Sequence, residues 1–124
     1  LGMRPLDKQN YARLRLNDKG DLEEIIEDKD ASPSQKELPL CNSGVMLVRG
    51  DFLHEALPAL TTNNAAKEYY LTDLVKIARQ KNYLCGVVEG ESSEFTGINS
   101  RQDLALAEAC LQKRFREKAM EKGV

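Results

Sequence analysis

Tryptophan is absent from this 124-residue sequence, and histidine occurs once, as His54 near the start of an expected helix. A zinc site needs clustered Cys and His ligands, and the three cysteines, Cys41, Cys85 and Cys110, are scattered without CxxC spacing. Each sits among apolar neighbours, the pattern of buried free thiols. Charge of one sign is lacking as well. Eighteen Lys and Arg against 20 Asp and Glu give a net charge of −2, which leaves no basic surface for neutralising phosphates and excludes nucleic acid as the expected partner. No apolar run approaches the roughly 20 residues of a membrane span, and the charged-then-apolar order of a signal peptide is missing. A cytoplasmic protein with no membrane partner is expected. The first residue is Leu1 rather than methionine, which points to a natural start further upstream.

What is present, 41% hydrophobic and 31% charged residues, describes one α/β unit with a modest core. Tyr11 to Leu16 alternates, Asn17-Asp18-Lys19-Gly20 breaks the pattern, and Leu22 to Glu27 is again strand-like, so a β-hairpin is expected. Residues 28–39 are polar with two prolines and read as a loop with room for one helical turn. Residues 43–48 are nearly continuous in apolar side chains, as in a strand covered on both faces. Asp51 is placed to cap a short helix that Pro58 discourages from continuing. Leu71, Leu74, Val75 and Ala78 fall at helical spacing and predict a helix over 70–81, with a short strand over 84–88 after it. Ser100 with Asp103 forms a capping-box pattern, and Leu104, Ala107, Leu111, Phe115 and Ala119 recur every three or four residues. These predict a long amphipathic helix over 101–121, ended by Gly123. Its opposite face, with Lys113, Arg114 and Glu117 among others, reads as solvated.

The polar residues beside apolar strands admit two readings each. Glu27 ends a strand and Asn42 enters one, and strand ends in α/β folds commonly face the ligand crevice. A carboxylate there accepts hydrogen bonds from sugar hydroxyls, while an amide both donates and accepts. The plain alternative makes residues 27–30 an exposed charged turn and Asn42 a turn cap. Thr72, at the expected start of a helix, could meet an anionic or hydroxylated ligand through exposed N–H groups, or be only a first-turn residue with Tyr69 and Tyr70 in the core. Asn99 either meets a ligand or metal or only shapes the turn into the long helix.

These signals fall in order on one pattern. Tyr11-Ala12-Arg13, Glu27-Asp28-Lys29-Asp30-Ala31, Asn42-Ser43-Gly44, Asn63-Asn64-Ala65, Glu68-Tyr69-Tyr70-Leu71-Thr72-Asp73 and Gly97-Ile98-Asn99-Ser100-Arg101 resemble the second half of the uridyltransferase domain in the bacterial bifunctional N-acetylglucosamine-1-phosphate uridyltransferase/glucosamine-1-phosphate acetyltransferase family. The resemblance covers nearly the whole chain. It implies the sugar-binding half of a Rossmann-like nucleotide-diphospho-sugar transferase fold over residues 1–99 and a connecting helix over 100–124. Residues 119–124 resemble the handover to that family's acetyltransferase β-helix domain.

By the same resemblance, the full enzyme condenses N-acetylglucosamine-1-phosphate with UTP to UDP-N-acetylglucosamine and pyrophosphate, with Mg2+ neutralising charge. Ala12 would contact the sugar through its backbone, Glu27 and Asn42 would hydrogen-bond it, Thr72 would approach its phosphate end, and Asn99 would contact the ligand and coordinate magnesium. None is a general base, because a sugar phosphate is already an anionic nucleophile; no catalytic residue is assigned. The family's glycine-rich loop, uracil-reading segment and metal-sharing aspartate have no counterpart here. The missing N-terminal half of the domain is therefore an expected partner, the isolated chain is expected to be inactive, and a homo-oligomer is compatible with the resemblance. The family usually has glycine on both sides of Tyr11 and before Glu68, where this chain has Asn10, Ala12 and Lys67. An alanine lacks access to positive φ and crowds a close ligand; Lys67 adds a phosphate contact or points outward. Two other functions stay open: a pyrophosphorylase for another sugar or base, and a non-catalytic interaction module that keeps the scaffold.

Overall fold

The computed structural model describes residues 1–8, 10–95 and 97–123; Val124, the last residue of the expected connecting segment, lies outside them. The chain divides into two compact units, Leu1–Gly90 and Glu91–Val124. Among the described residues, the first contains four strands, β1 (Gly2–Met3), β2 (Arg13–Leu16), β3 (Leu22–Ile26) and β4 (Cys41–Asn42), three α-helices, α1 (Pro33–Lys36), α2 (Gly50–Ala56) and α3 (Asp73–Gln80), and a 3-10 turn at Leu57–Ala59. The second contains α4 (Arg101–Glu121). Among the described residues no helix is long and apolar enough to cross a membrane.

The sheet runs β1-β4-β2-β3 with every neighbouring pair antiparallel, so the mixture of sheet and helix accords with the expected α/β class. The hairpin forms where its turn chemistry puts it. Asn17 Oδ1 accepts from the N–H groups of Lys19 and Asp21, both at 2.9 Å. Gly20 then takes φ +85°, which a β-carbon would oppose. Ala12, Leu14, Leu22, Ile25 and Leu40 meet Val75 of α3 in one core. Helix α3 reaches it because Leu74, Val75 and Ala78 share one buried face. Gly2 is packed so closely that a β-carbon would lie 2.8 Å from Val87 Cγ1 and 3.0 Å from Leu14 Cδ1.

Several expectations are corrected. Residues 43–48 are not a strand: only Asn42 joins β4, Gly44 turns the chain at φ +85°, and Val45 and Leu47 are 50% and 102% exposed. Among the described residues this apolar run has no strand beside it; its backbone is held instead by the first residue, Ser43 N–H donating to Leu1 O at 3.1 Å. Residues 84–88 are also irregular. Cys85 O accepts from Leu22 of β3 and Val88 O from Gly2 of β1, so the segment bonds to two different strands and builds no ladder with either. It ends in a lone parallel bridge between Gly2 and Glu89. Helix α2 is capped at Arg49 rather than Asp51, which lies in its first turn and accepts from Phe52 N–H, still favourably placed against the helix dipole. Helix α3 begins at Asp73, not Tyr70. Of the thiols, only Cys41 is buried; Cys85 and Cys110 are partly exposed, and all three are free. Loss of water pushes the Cys41 and Cys85 thiols up.

In the second unit, α4 spans the expected residues. Ser100 Oγ accepts from Asp103 N–H at 3.1 Å while the Asp103 carboxylate accepts from Ser100 N–H at 2.8 Å, closing a capping box. Gly123 at φ +79° returns its N–H to Met120 O. The expected apolar stripe is not a buried one: Leu104, Leu111 and Phe115 are all exposed, and no residue of α4 is buried.

Candidate functional site

Four of the residues singled out from sequence come from four separated stretches of the first unit and line one open cleft of about 410 Å3: Ala12, Glu27, Asn42 and Thr72. Antiparallel pairing explains part of this. Asn42 donates its N–H to Ala12 O at 2.8 Å where β4 meets the start of β2, and the Arg13↔Ile26 pairing brings the end of β3, hence Glu27, alongside Ala12. The fourth residue arrives by a side-chain bond. Thr72 Oγ1 donates to Glu27 Oε1 at 2.8 Å, so the hydroxyl at the head of α3 serves the strand end instead of capping its own helix. Thr72 is 9% exposed. Among the described residues, Glu27 Oε2 and the Asn42 carboxamide have no hydrogen-bond partner, which leaves an acceptor and a donor–acceptor pair available on residues that line the cleft.

The turn after β3 is exposed at Lys29 and Asp30 and half-buried at Glu27 and Asp28, and it is tied to its surroundings through several side chains. Arg13, only 3% exposed, lies 3.5 Å from the Asp28 carboxylate, donates to Lys36 O at 3.1 Å and bonds Tyr11 O. An arginine buried this deeply must find such partners. Two residues further on, Asp30 accepts from Ala65 N–H at 2.8 Å through Oδ1 and from the Tyr70 hydroxyl at 3.0 Å through Oδ2. The Tyr70 phenol is pushed up, first by partial loss of water and then by the Asp30 acceptor. Tyr70 is half-buried and Tyr69 is 72% exposed; neither is a core aromatic. Sequence reasoning passed over Arg13 and Asp30 although both stood inside its blocks. A charged residue between Ala12 and Leu14 on an alternating strand was the available signal for Arg13.

The positions where glycine was expected separate by conformation. Asn10 and Lys67 occupy the left-handed region, at φ 64° and 59°. Asn tolerates it, and Lys67 is strained. Ala12 keeps a negative φ and packs into the core, so its methyl group does not crowd the cleft. Lys67 sits in a loop tied by Asn64, whose side chain donates to Glu68 O at 2.6 Å and accepts from Glu68 N–H at 3.2 Å.

Asn99 belongs to the second unit, where its N–H donates to the Asp103 carboxylate at 3.1 Å. That bond and the Ser100 hydroxyl hold Asp103 below the usual carboxylate range, the hydroxyl contributing most. Among the described residues no group of three or more His, Cys, Asp or Glu could hold a metal ion.

No protein-family model matches the chain. Curated proteins do. The bifunctional protein GlmU of Rhodospirillum rubrum is 52% identical over 123 residues, which is 99% of this chain and 27% of that protein. The bifunctional protein GlmU of Maricaulis maris is 44% identical over 124 residues, 100% of this chain and 27% of its own length. That of Campylobacter jejuni subsp. doylei is 41% identical over 118 residues, 95% and 27% respectively. The chain therefore matches a part of GlmU, spanning about a quarter of the length of these relatives.

Proposed function

We propose, from this relation to a segment of GlmU, that the chain is the sugar-phosphate-binding half of an N-acetylglucosamine-1-phosphate uridyltransferase domain of Rossmann-like fold. The observation that carries the reading is the convergence of Ala12, Glu27, Asn42 and Thr72 on one cleft. In the proposed reaction a phosphate oxygen of N-acetylglucosamine-1-phosphate bonds to the α-phosphorus of UTP as the bond to the β-phosphate oxygen breaks, and pyrophosphate leaves with that electron pair. The nucleophile carries its own charge, so the chain need not remove a proton. Glu27 Oε2 and the Asn42 amide hold sugar hydroxyls, Ala12 borders the ring through its backbone, and Thr72 stands toward the phosphate end. Positioning of this kind supplies much of the rate in such transfers.

Magnesium is part of the proposal only in a limited way. Asn99 offers a single neutral oxygen, and a hard, octahedral cation needs several more, so the residues of this chain do not make the site alone and no step is routed through it. The remaining oxygens would come from nucleotide phosphates and from an upstream half of the domain. That half would also cover an apolar cavity of about 360 Å3 bordered by Met46, Leu47, Leu84 and Cys85.

The test is a titration of the isotopically labelled chain with N-acetylglucosamine-1-phosphate, followed by backbone NMR. Shifts are expected at Ala12, Glu27, Asn42 and Thr72, and their absence would refute the sugar-site reading in favour of a non-catalytic module. Pyrophosphate release is expected from the chain together with an upstream half and magnesium, not from the chain alone. Asn99→Ala is expected to lower it. Full activity of that variant would remove Asn99 from the metal site, and use of another sugar phosphate in preference would make the chain part of a different pyrophosphorylase.

A further inference from the structure

Asp30 does not line the cleft that holds Glu27 and Thr72; it borders a separate, polar groove of about 440 Å3. Glu27 and Tyr70 border both, and stand between the two depressions as a shared wall. Only one face of that wall is covalently continuous with the sheet: Glu27 follows β3 directly, whereas Tyr70 belongs to the irregular stretch between α2 and α3. That stretch has little apolar anchorage of its own. Residues 61–63, 65 and 67–69 are exposed, Lys67 is in a strained conformation, and its internal bonds through Asn64 shape the loop without fixing it to anything else.

What fixes it is Asp30. Its two oxygens reach 35 and 40 residues along the chain, one to the Ala65 N–H and the other to the Tyr70 hydroxyl. With the Thr72–Glu27 bond, the loop is held at three points, and all three acceptor oxygens come from the turn after β3. The opposite end of that turn is tied to the buried Arg13 through Asp28. We infer that Asp30 is a positioning residue: it holds residues 65–72 against the end of β3 so that Thr72 and Tyr70 form a fixed wall of the ligand cleft. The inference rests on the proposed sugar-phosphate reading only for the identity of the ligand.

The order of effects follows from the geometry. Asp30→Ala removes both bonds, Tyr70→Phe removes one, and Asp30→Asn keeps an acceptor for Ala65 N–H while its amide can donate to the Tyr70 oxygen. A hydrogen bond of this kind contributes about tenfold to the closed state at most, since the pair is solvent-exposed. Hydrogen exchange is measured at the Ala65 amide and, as a control for overall unfolding, at the Leu14 amide, which donates to Leu40 O within the sheet at 2.9 Å. Asp30→Ala is expected to speed Ala65 exchange by about three- to tenfold without changing Leu14, to lower the Tyr70 phenol pKa, and to weaken N-acetylglucosamine-1-phosphate binding by a similar factor. Asp30→Asn is expected to recover most of both the exchange and the binding effect. Unchanged Ala65 exchange in Asp30→Ala, or equal acceleration at Ala65 and Leu14, overturns the inference, as does unchanged binding in a variant whose parent binds. If the parent itself binds no sugar phosphate, the proposed function falls, and the exchange comparison alone decides Asp30.

Discussion

Replacing Glu27 by alanine should destabilise the protein more than replacing its partner Thr72 by valine, although both changes delete the same hydrogen bond. The bond is 2.8 Å long and joins a hydroxyl that is 9% exposed to a carboxylate that is half-buried. In Thr72→Val the stranded group is the carboxylate, which water can reach, so the loss approaches the net value of one bond, about 1 kcal/mol. In Glu27→Ala the stranded group is the buried hydroxyl, and an unsatisfied buried donor costs about 1–3 kcal/mol. At a urea dependence of about 2 kcal/mol/M the midpoints should fall by about 0.5 M for Thr72→Val and about 1 M for Glu27→Ala. The double variant should be less unstable than the sum by about 1 kcal/mol, the coupling expected of contacting residues. Urea unfolding followed by circular dichroism measures all four proteins. Equal or reversed costs for the single variants, or a double variant that is simply additive, would refute the argument from burial and the bond itself.

Gly2→Ala should cost about 1–3 kcal/mol, because its new methyl group would stand 2.8 Å from Val87 and 3.0 Å from Leu14 in a closed corner of the sheet; a midpoint unchanged in urea would contradict that packing. Lys67→Gly should stabilise by about 0.5–1 kcal/mol, the relief of a left-handed lysine less the added freedom of glycine in the unfolded chain, again read from the urea midpoint. The capping box of α4 should be pH-dependent. With its carboxyl held below the usual range, Asp103 contributes stability that is fully present above the ordinary aspartate pKa and is lost as the pH falls through the depressed value. Exchange at the Ser100 amide should therefore accelerate on acidification, relative to the intrinsic rate, in the parent but not in Asp103→Asn.

Local chemistry was sufficient for the elements whose signals are carried by neighbouring residues. The hairpin was legible because Asn17 and Gly20 specify its turn. Helix α4 was legible to the residue because Ser100, Asp103 and Gly123 mark its ends through bonds no more than four residues long. Glu27, Asn42 and Thr72 were nameable because they stand in recognisable blocks on either side of apolar segments.

Everything that depended on a distant neighbour was left to the tertiary structure. Apolar composition made residues 43–48 and 84–88 look like strands, but a strand exists only where another lies in register beside it, and the bonds of these segments to Leu1, Gly2 and Leu22 build no such ladder. No spacing along the chain shows that Thr72 donates to Glu27, that Asp30 reaches Ala65 and Tyr70, or that Arg13 is buried against Asp28. Nor does it show which expected glycine mattered for conformation: Ala12 keeps a negative φ, while Asn10 and Lys67 do not. The sequence alone determined which polar groups are available; chain reversal through the sheet decided which of them share a cleft, because hydrogen bonds and steric contacts act over a few ångströms in space and not along the chain.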